Sequence, residues 1–130
     1  MRSPYDIVAA HYAAAERKDL AGMMADVAPT VQWTEMAGSP CAGTWIGPRQ
    51  VIDNVFAVLG SQWDGFNFKL ERLIDGSDSV VGSGEYSGTF RKTGKAMRAR
   101  VVHVWQVEGG KVVRFEQFTD TLLVARAMTV

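Results

Sequence analysis

The stretch from Arg100 to Asp120, RVVHVWQVEGGKVVRFEQFTD, constrains the fold of this chain more than any other. Its two arms are rich in valine and aromatic residues, and Gly109-Gly110 between them is typical of a tight hairpin turn. Side chains alternate along a strand, so His103 shares a face with Val101 and Trp105. The sequence therefore predicts two long antiparallel strands that carry a histidine among apolar neighbours.

The second arm, Lys111–Thr119, raises the question of which polar side chain faces the core. Alternation places Phe115 and Gln117 on one face of the strand and Phe118 and Asp120 on the other. Gln117 and Asp120 therefore cannot both point inward unless a β-bulge intervenes. Asp120 also precedes the segment TLLVARAM, which predicts a short C-terminal helix that this aspartate can cap.

Three helices are predicted in the first half of the chain. The first covers about residues 4–17 and starts at Ser3-Pro4. The second follows Asp19, which can cap it, and ends before Ala28-Pro29, and the third runs from Gly47-Pro48 to near Gly60. The third helix has a broad apolar face that includes Phe56. Between the second and third helices, Val31–Glu35 alternates as a strand and places Glu35 on the same face as Trp33. Residues 36–47, rich in Gly, Ser and Pro, are predicted as a loop.

Three further strands are predicted over Phe66–Ile74, Val80–Phe90 and Ala96–Val107. Their connections are short and turn-like, which favours an antiparallel meander that continues into the hairpin. The second of these strands contains Gly82, Gly84 and Gly88, and glycines inside a strand indicate bulges, bends or a close approach of other groups. We expect a strongly curved sheet in a single α+β domain spanning residues 1–130.

Composition and charge narrow the classes of function. The chain has 14 basic and 14 acidic residues and no net charge, which gives no electrostatic reason to expect nucleic acid or an anionic membrane as a partner. The single cysteine, Cys41, cannot form an internal disulfide, and no Cys/His cluster has the spacing of a zinc site. We expect a cytoplasmic protein with no metal or other cofactor.

Four motifs resemble the SnoaL-like branch of the nuclear-transport-factor-2-like superfamily, which includes ketosteroid isomerase. They are YAAAERKDL at Tyr12–Leu20, VQWTE at Val31–Glu35, GTWIGPRQV at Gly43–Val51, and the hairpin sequence from Val102 to Asp120. The resemblance spans nearly the whole chain. It implies a cone-shaped fold in which three N-terminal helices pack on a strongly curved, mostly antiparallel sheet, with a short C-terminal helix.

The resemblance also implies roles for particular residues. Glu35 stands where the isomerase keeps its general base, and His103 where that enzyme has the acid of its oxyanion hole. Tyr12 or His11 matches a tyrosine of the first helix, and only one of these neighbours is expected to face a pocket. Asp120 resembles the aspartate that acts as acid or base in SnoaL-like cyclases.

Together these residues predict an apolar pocket with catalytic Glu35, His103, Asp120 and Tyr12, and with substrate contacts from Trp33, Trp105, Phe115, Gln117, His11 and Phe56. A carboxylate buried among aromatic rings has a raised pKa and becomes a usable general base near neutral pH. The first hypothesis is cofactor-independent acid–base catalysis of the isomerase, cyclase or dehydratase type on an apolar, carbonyl-containing small molecule. The alternative is a module that binds a hydrophobic metabolite without turnover.

The outer face of the sheet predicts a protein partner. Val102, Val104 and Phe118 share this face and are more apolar than a fully solvated surface requires. Burial against a second copy of the chain would cover them, so we expect a homodimer through the sheet.

Overall fold

The structure is a computed structural model, and it describes residues 2–130. The first helix, α1 (Pro4–Glu16), begins with a capping box in which Ser3 and Asp6 each accept a hydrogen bond from the other's backbone N–H. The second, α2 (Leu20–Met24), is capped by Asp19, as predicted. It ends earlier than the sequence suggested, because the chain from Val27 onward joins the sheet.

Strand β1 (Val27–Glu35) is longer than predicted. It tolerates Pro29 because the register of its pairing shifts between Val27 and Gln32, where no regular ladder bond is required. Strand β2 (Gly43–Ile46) was not expected, since these residues were predicted as loop. It pairs with the end of β1 at the edge of the sheet and shows no apolar alternation, so sequence pattern alone does not reveal it.

The third helix, α3, combines three consecutive segments: α-helical Gly47–Val51, π-helical Ile52–Phe56 and α-helical Ala57–Gln62. Its extent agrees with the prediction of a helix from Gly47-Pro48 to near Gly60. The π-helical turn widens the helix at Val55 and Phe56, two residues that face the interior of the domain.

The rest of the chain forms β3 (Trp63–Gly76), β4 (Ser79–Phe90), β5 (Ala96–Glu108), β6 (Lys111–Thr119) and α4 (Thr121–Met128). The predicted antiparallel meander from β3 to β6 is confirmed. The six strands have the order β2-β1-β6-β5-β4-β3, and only β1 and β6 pair in parallel. The fold is thus the expected α+β arrangement of helices on a curved, mostly antiparallel sheet, which remains unclosed.

Bulges in β3 account for part of the curvature. The pairing of β3 with β4 shifts register between Asp64 and Asn67 and between Leu70 and Arg72. Gly84 pairs with Leu70, and Gly88 lies against the backbone of β3 beside the other shift. A side chain at either glycine would collide with β3 or press tightly against it, so these two glycines permit the close approach that bulges require.

Pairing of the β5–β6 hairpin with β4 aligns interior-facing residues on three neighbouring strands. His103 pairs with Gly82 on β4 and with Gln117 on β6, and Trp105 pairs with Phe115. These side chains point toward the helices and are buried. Among residues 2–130, no helix has the length and apolar character needed to cross a bilayer.

Candidate active site

A cavity of about 420 Å³ lies between the inner face of the sheet and the helices α1 and α3. Most of its wall is apolar or aromatic, including Trp33, Val55, Phe56, Leu59, Trp63, Phe66, Phe68 and Phe115. Five polar groups share this wall: His11, Tyr12, Glu35, Tyr86 and His103. The exposed residues Lys18, Asn67 and Arg91 also border it, where the cavity meets solvent. Its size and lining are those of a small-molecule site.

Glu35 is the buried carboxyl group of this cavity. It ends β1 on the same face as Trp33, and only 4% of its surface is exposed. Its Oε2 accepts a hydrogen bond from the Trp33 indole N–H at 3.2 Å, and its Oε1 accepts one from the Gln117 amide at 3.1 Å. Burial raises the pKa of Glu35 to about 8, while the bond from Trp33 opposes this rise. Such a carboxyl can exchange a proton near neutral pH.

The side chain of Gln117 holds Glu35 in place. Its Oε1 accepts a hydrogen bond from the backbone N–H of Met36 at 3.3 Å, so its amide nitrogen must face the interior. That nitrogen donates to Glu35 and lies 3.4 Å from the Tyr86 hydroxyl. Gln117 does not line the main cavity, so the prediction of a direct substrate contact is not supported by its position. Seen from the cavity, Gln117 lies behind Glu35.

His103 lies between two tyrosine hydroxyl groups. Its Nδ1 is 2.8 Å from the Tyr12 hydroxyl, and its Nε2 is 2.7 Å from the Tyr86 hydroxyl. The Trp105 indole N–H donates to the Tyr12 hydroxyl at 2.8 Å. Burial lowers the pKa of His103 to about 3, so the imidazole is neutral at physiological pH. Both of its nitrogens have hydrogen-bond partners, and His103 also borders the cavity.

Trp105 stands one layer behind the cavity. Its side chain is fully buried and packs edge to face on Phe115, with 4.7 Å between the ring centroids. It does not line the cavity, so its predicted contact with substrate is corrected to a supporting role. The predicted lining residues Trp33, Phe56 and Phe115 do reach the cavity.

His11 and Tyr12 both border the cavity, although only one was expected to do so. Their rings meet edge to face at 5.3 Å, so the two side chains cover a wide arc of α1. The cavity is wide enough to contact both side chains. The prediction assumed that adjacent residues, which differ by about 100° around a helix, could not both reach it. His11 Nδ1–H donates to the Met23 carbonyl at 2.9 Å, and burial lowers its pKa to about 4.

Asp120 lies outside the cavity, and its expected convergence with Glu35 and His103 is wrong. The side chain is exposed and accepts a hydrogen bond from the backbone N–H of Leu123 at 3.2 Å. It therefore caps α4. No bulge between Gln117 and Asp120 reverses their alternation, so the inward position belongs to Gln117.

Tyr86 is the site residue that the sequence analysis missed. It occupies the inner face of β4 two and four residues after Gly84 and Gly82, and it is 7% exposed. The signal was available, because alternation from the inward-facing glycines places Tyr86 on the side of His103. Glu85 faces the other way and binds Arg98 at 2.8 Å.

Two buried side-chain polar atoms have no hydrogen-bond partner among residues 2–130: the hydroxyl oxygen of Ser39 and the indole nitrogen of Trp63. Trp63 belongs to the cavity wall, whereas Ser39 lies beside a small void behind Glu35. Within the same range, no group of three or more His, Cys, Asp and Glu side chains is arranged to hold a metal ion.

Comparison with known proteins identifies a family. The model of the SnoaL-like domain matches residues 8–115. An NTF2-like protein from Burkholderia thailandensis E264 is 60% identical over the full length of both chains, with a TM-score of 0.99. No curated protein sequence matches the chain.

More distant solved structures share the same architecture. An NTF2-like protein of unknown function from Burkholderia pseudomallei K96243 is 28% identical over all of both chains, with a TM-score of 0.90. TerC, co-crystallised with polyporic acid, is 25% identical over 97% of this chain and 98% of its own, with a TM-score of 0.85. The fold therefore extends across relatives whose sequences have diverged widely.

Proposed function

The chain belongs to the SnoaL-like domain family, and from this premise we propose that it catalyses cofactor-independent proton transfer on an apolar, carbonyl-containing small molecule. Glu35 is the acid–base group in this proposal. The observation that carries it is the position of a buried carboxyl, with a pKa of about 8, on the wall of a largely aromatic cavity. A SnoaL-like fold alone would not select this activity, since one fold supports many.

The contacts of Glu35 suit a group that exchanges protons with a bound molecule. Trp33 and Gln117 donate one hydrogen bond to each of its oxygens, which fixes the plane of the carboxyl group. Each oxygen retains a further acceptor position. Glu35 can remove a proton from the carbon beside a substrate carbonyl and return it to another position, which is an isomerisation. If a hydroxyl group at the next carbon then leaves as water, taking the proton that Glu35 removed, the reaction is a dehydration.

The pKa of Glu35 sets the pH dependence of this chemistry. Below pH 8 most Glu35 is protonated, and the carboxylate that acts as base is the minor form. A reaction that begins with base catalysis should therefore accelerate about tenfold per pH unit up to about pH 8 and then level off. A reaction that begins with proton donation by Glu35 should show the opposite trend.

Ligand binding is also proposed by likeness to TerC, which was co-crystallised with polyporic acid. The experiment begins with a thermal-stability screen of aromatic polyketides, steroids and terpenoids against the wild-type protein and His103→Ala. Compounds that stabilise the wild type but not the folded variant would locate binding in the cavity. Absence of stabilisation by every apolar compound would contradict the proposal.

Catalysis is tested separately from binding with 2-tetralone, a bicyclic ketone with exchangeable protons beside its carbonyl. We expect the wild type to accelerate replacement of these protons by deuterium in D₂O, as followed by NMR. Glu35→Gln should slow this exchange by about 10²–10⁴-fold, the usual contribution of a positioned acid or base. Glu16→Gln, which changes an exposed carboxyl on α1, is the matched control.

The two hypotheses of the sequence analysis predict different results in this assay. Binding of apolar ligands without any acceleration of exchange would identify a non-catalytic module for a hydrophobic metabolite. Exchange that is equally fast in Glu35→Gln would retain an enzyme but remove Glu35 from its mechanism. Exchange lost only in Glu35→Gln would support the proposal.

We also propose that two copies of the chain associate through the outer face of the sheet. Cross-strand pairs bring Val81 beside Val104 and Val102 beside Phe118, so that these side chains form one apolar patch. Phe118 is 44% exposed at its edge. Charged pairs such as Arg98–Glu85 stand next to the patch on the same face. A twofold axis through the patch would bury it against itself.

We also propose that the protein is cytoplasmic, in a compartment where thiols stay reduced. Cys41 is its single cysteine, and the thiol is free and buried. A reducing compartment is compatible with such a cysteine.

A further inference from the structure

The end of α1 places a lysine where glycine is usual. The Asp19 N–H donates to the Ala14 carbonyl at 2.9 Å, and the Lys18 N–H donates to the Ala15 carbonyl at 3.0 Å. This pair of bonds is the Schellman motif of a helix C-terminus. The residue that turns the chain in it is Lys18, with a φ of 56°. Glycine adopts this left-handed conformation without the steric cost that a side chain adds, so lysine is an unfavourable choice for the helix end itself.

The side chain of Lys18 does not offset this cost with an ion pair. None of the ion pairs formed within residues 2–130 includes Lys18. The adjacent carboxylate, Asp19, accepts a hydrogen bond from the Gly22 N–H and lies 3.7 Å from Arg17. Lys18 borders the cavity and is exposed, so its charge stands at the edge where the cavity meets solvent. Strained backbone at the mouth of a cavity points to a role in binding.

Arg91 is the second cation at this mouth, and its charge is balanced. Its Nε donates to Asp64 at 2.7 Å, and its Nη1 donates to the Ser61 carbonyl at 3.1 Å. The charged residues that line the cavity are Lys18, Arg91 and Glu35. Burial raises the pKa of Glu35 to about 8, so this carboxyl is mostly protonated at neutral pH. Lys18 therefore gives the cavity and its mouth a net positive charge.

The interior of the cavity offers no partner for an anion. Burial lowers the pKa of His11 to about 4 and that of His103 to about 3, so both rings are neutral. A carboxylate moved from water to this apolar wall would lose its hydration without gaining an opposite charge. At the mouth the same carboxylate stays partly hydrated and meets the ammonium of Lys18, whose flexible stem can follow it. An ionised group on a ligand is thus directed to the mouth.

We propose that Lys18 binds an anionic group of the ligand at the mouth of the cavity, so that the substrate class is an apolar carbonyl compound that also carries a carboxylate. This inference rests on the proposed function, because it concerns the ligand of the same cavity. It adds an orientation: the acid group lies at Lys18, and the apolar body with its carbonyl lies inside, beside Glu35. Lys18 is a binding residue and does not contact the reacting atoms.

The experiment uses two probes that differ in charge. At neutral pH, 2-naphthylacetate carries a carboxylate, and 2-naphthylacetamide has nearly the same shape without the charge. Naphthalene fluorescence measures the affinity of both for the wild type, Lys18→Gln, Lys18→Gly and Lys111→Gln. Lys111 is exposed at the start of β6 and does not line the cavity, so its replacement changes the net charge equally at a distant position.

The two Lys18 variants should lose affinity for the acid alone. We expect both to bind 2-naphthylacetate about 3- to 5-fold more weakly than the wild type and to bind the amide equally well. Unchanged amide binding also shows that the variants are folded. Lys111→Gln should match the wild type with both probes. About 0.5 M NaCl should remove most of the difference between wild type and Lys18→Gln, because salt screens exposed charges.

The stability of Lys18→Gly separates a binding role from a structural one. Glycine relieves the left-handed backbone, so this variant should unfold at a higher urea concentration than the wild type while it binds the acid more weakly. A lower urea midpoint would show that Lys18 supports the helix end and would overturn the proposal.

The binding data alone can also refute the role of Lys18. Unchanged affinity for 2-naphthylacetate in both Lys18 variants, or an equal loss in Lys111→Gln, would overturn it even if the amide binds normally. Failure of both probes to bind the wild type would instead contradict the proposed cavity function, on which this inference rests.

Discussion

The hydroxyl of Tyr12 occupies the space where a side chain at Gly82 would begin. A Cβ built on Gly82 would overlap the Tyr12 oxygen and stand 2.9 Å from Tyr12 Cζ. Gly82 pairs with His103 across β4 and β5, so its missing side chain lets Tyr12 reach the imidazole. The glycine was predicted to mark curvature, and its clearest role in the structure is to make room for this hydrogen bond.

Gly82→Ala should therefore displace Tyr12 from His103. We expect a loss of about 1–3 kcal/mol in the free energy of unfolding, as for other overpacked interiors. Urea unfolding measures this effect. Gly60→Ala is the control, since nothing lies within 4 Å of that position and alanine favours helices. Equal stability of both variants would refute this role of Gly82.

Glu35 should make the protein less stable as pH rises above 6.5. Its pKa is about 8 in the folded state and near 4.5 when unfolded, so the folded protein holds an extra proton between these values. Stability from this group falls as pH increases through that range, by about 2 kcal/mol between pH 6.5 and 8. Glu35→Gln should abolish the decline. Denaturant unfolding across this pH range tests the prediction, and an unchanged slope in the variant would contradict it.

The two histidines should destabilise the protein in acid. Burial lowers the pKa of His103 to about 3 and that of His11 to about 4, against 6.5 in the unfolded chain. Below pH 6.5 the unfolded state binds protons that the folded state excludes, so stability falls as pH decreases. Between pH 6.5 and 4.5, Glu35 stabilises the folded state on acidification and so cancels the effect of one histidine. The free energy of unfolding therefore falls by about 1.4 kcal/mol for each unit of pH decrease. His11→Gln should flatten this limb, and maximal stability of the wild type should lie near pH 6.5.

Asp120 should affect stability without affecting the cavity. Asp120→Ala removes the cap of α4 and should cost about 1 kcal/mol, whereas Asp120→Asn keeps an acceptor for the Leu123 N–H. Both variants should exchange the protons of 2-tetralone for deuterium at the wild-type rate. A loss of exchange shared by the two, with unchanged unfolding, would return Asp120 to the catalytic group.

Phe118→Lys tests the proposed association through the sheet. A charge in the apolar patch would be buried without a partner in the dimer, so sedimentation should show monomers at concentrations where the wild type dimerises. Leu122→Lys makes the same change at an exposed position of α4 and should leave the dimer intact. A monomeric wild type, or dissociation by Leu122→Lys alone, would refute the interface.

Cys41 should resist alkylation in the folded protein. The thiol is 3% exposed, and burial with a contribution from nearby Glu35 raises its pKa to about 12. At pH 8 it is therefore both inaccessible and protonated, while the unfolded chain presents an ordinary cysteine. Mass spectrometry after N-ethylmaleimide treatment, with and without urea, should show modification only in urea. Rapid reaction of the native protein would contradict this burial.

Local sequence patterns determined many of the helices, turns and strands of this protein. Caps at Ser3 and Asp19, the turn at Gly109-Gly110 and the alternation of Val31–Glu35 are properties of a few adjacent residues, and the structure confirms the elements they predicted. Alternation also placed Glu35 and His103 correctly on the interior face. Strand β2 was not predicted because it is a short edge strand. Its pairing with β1, and not its own composition, makes it a strand.

The tertiary structure alone decided which groups meet. His103 and Tyr12 are 91 positions apart, and their contact depends on the register of β4 with β5 and on the missing side chain of Gly82. The same register brings Tyr86 to the other imidazole nitrogen and leaves Asp120 at the start of α4. Alternation specifies the face of a strand on which a side chain lies, but pairing and helix packing specify its neighbours. For this reason the sequence predicted a polar cluster in an apolar pocket, while the hydrogen-bond partners within that cluster required the fold.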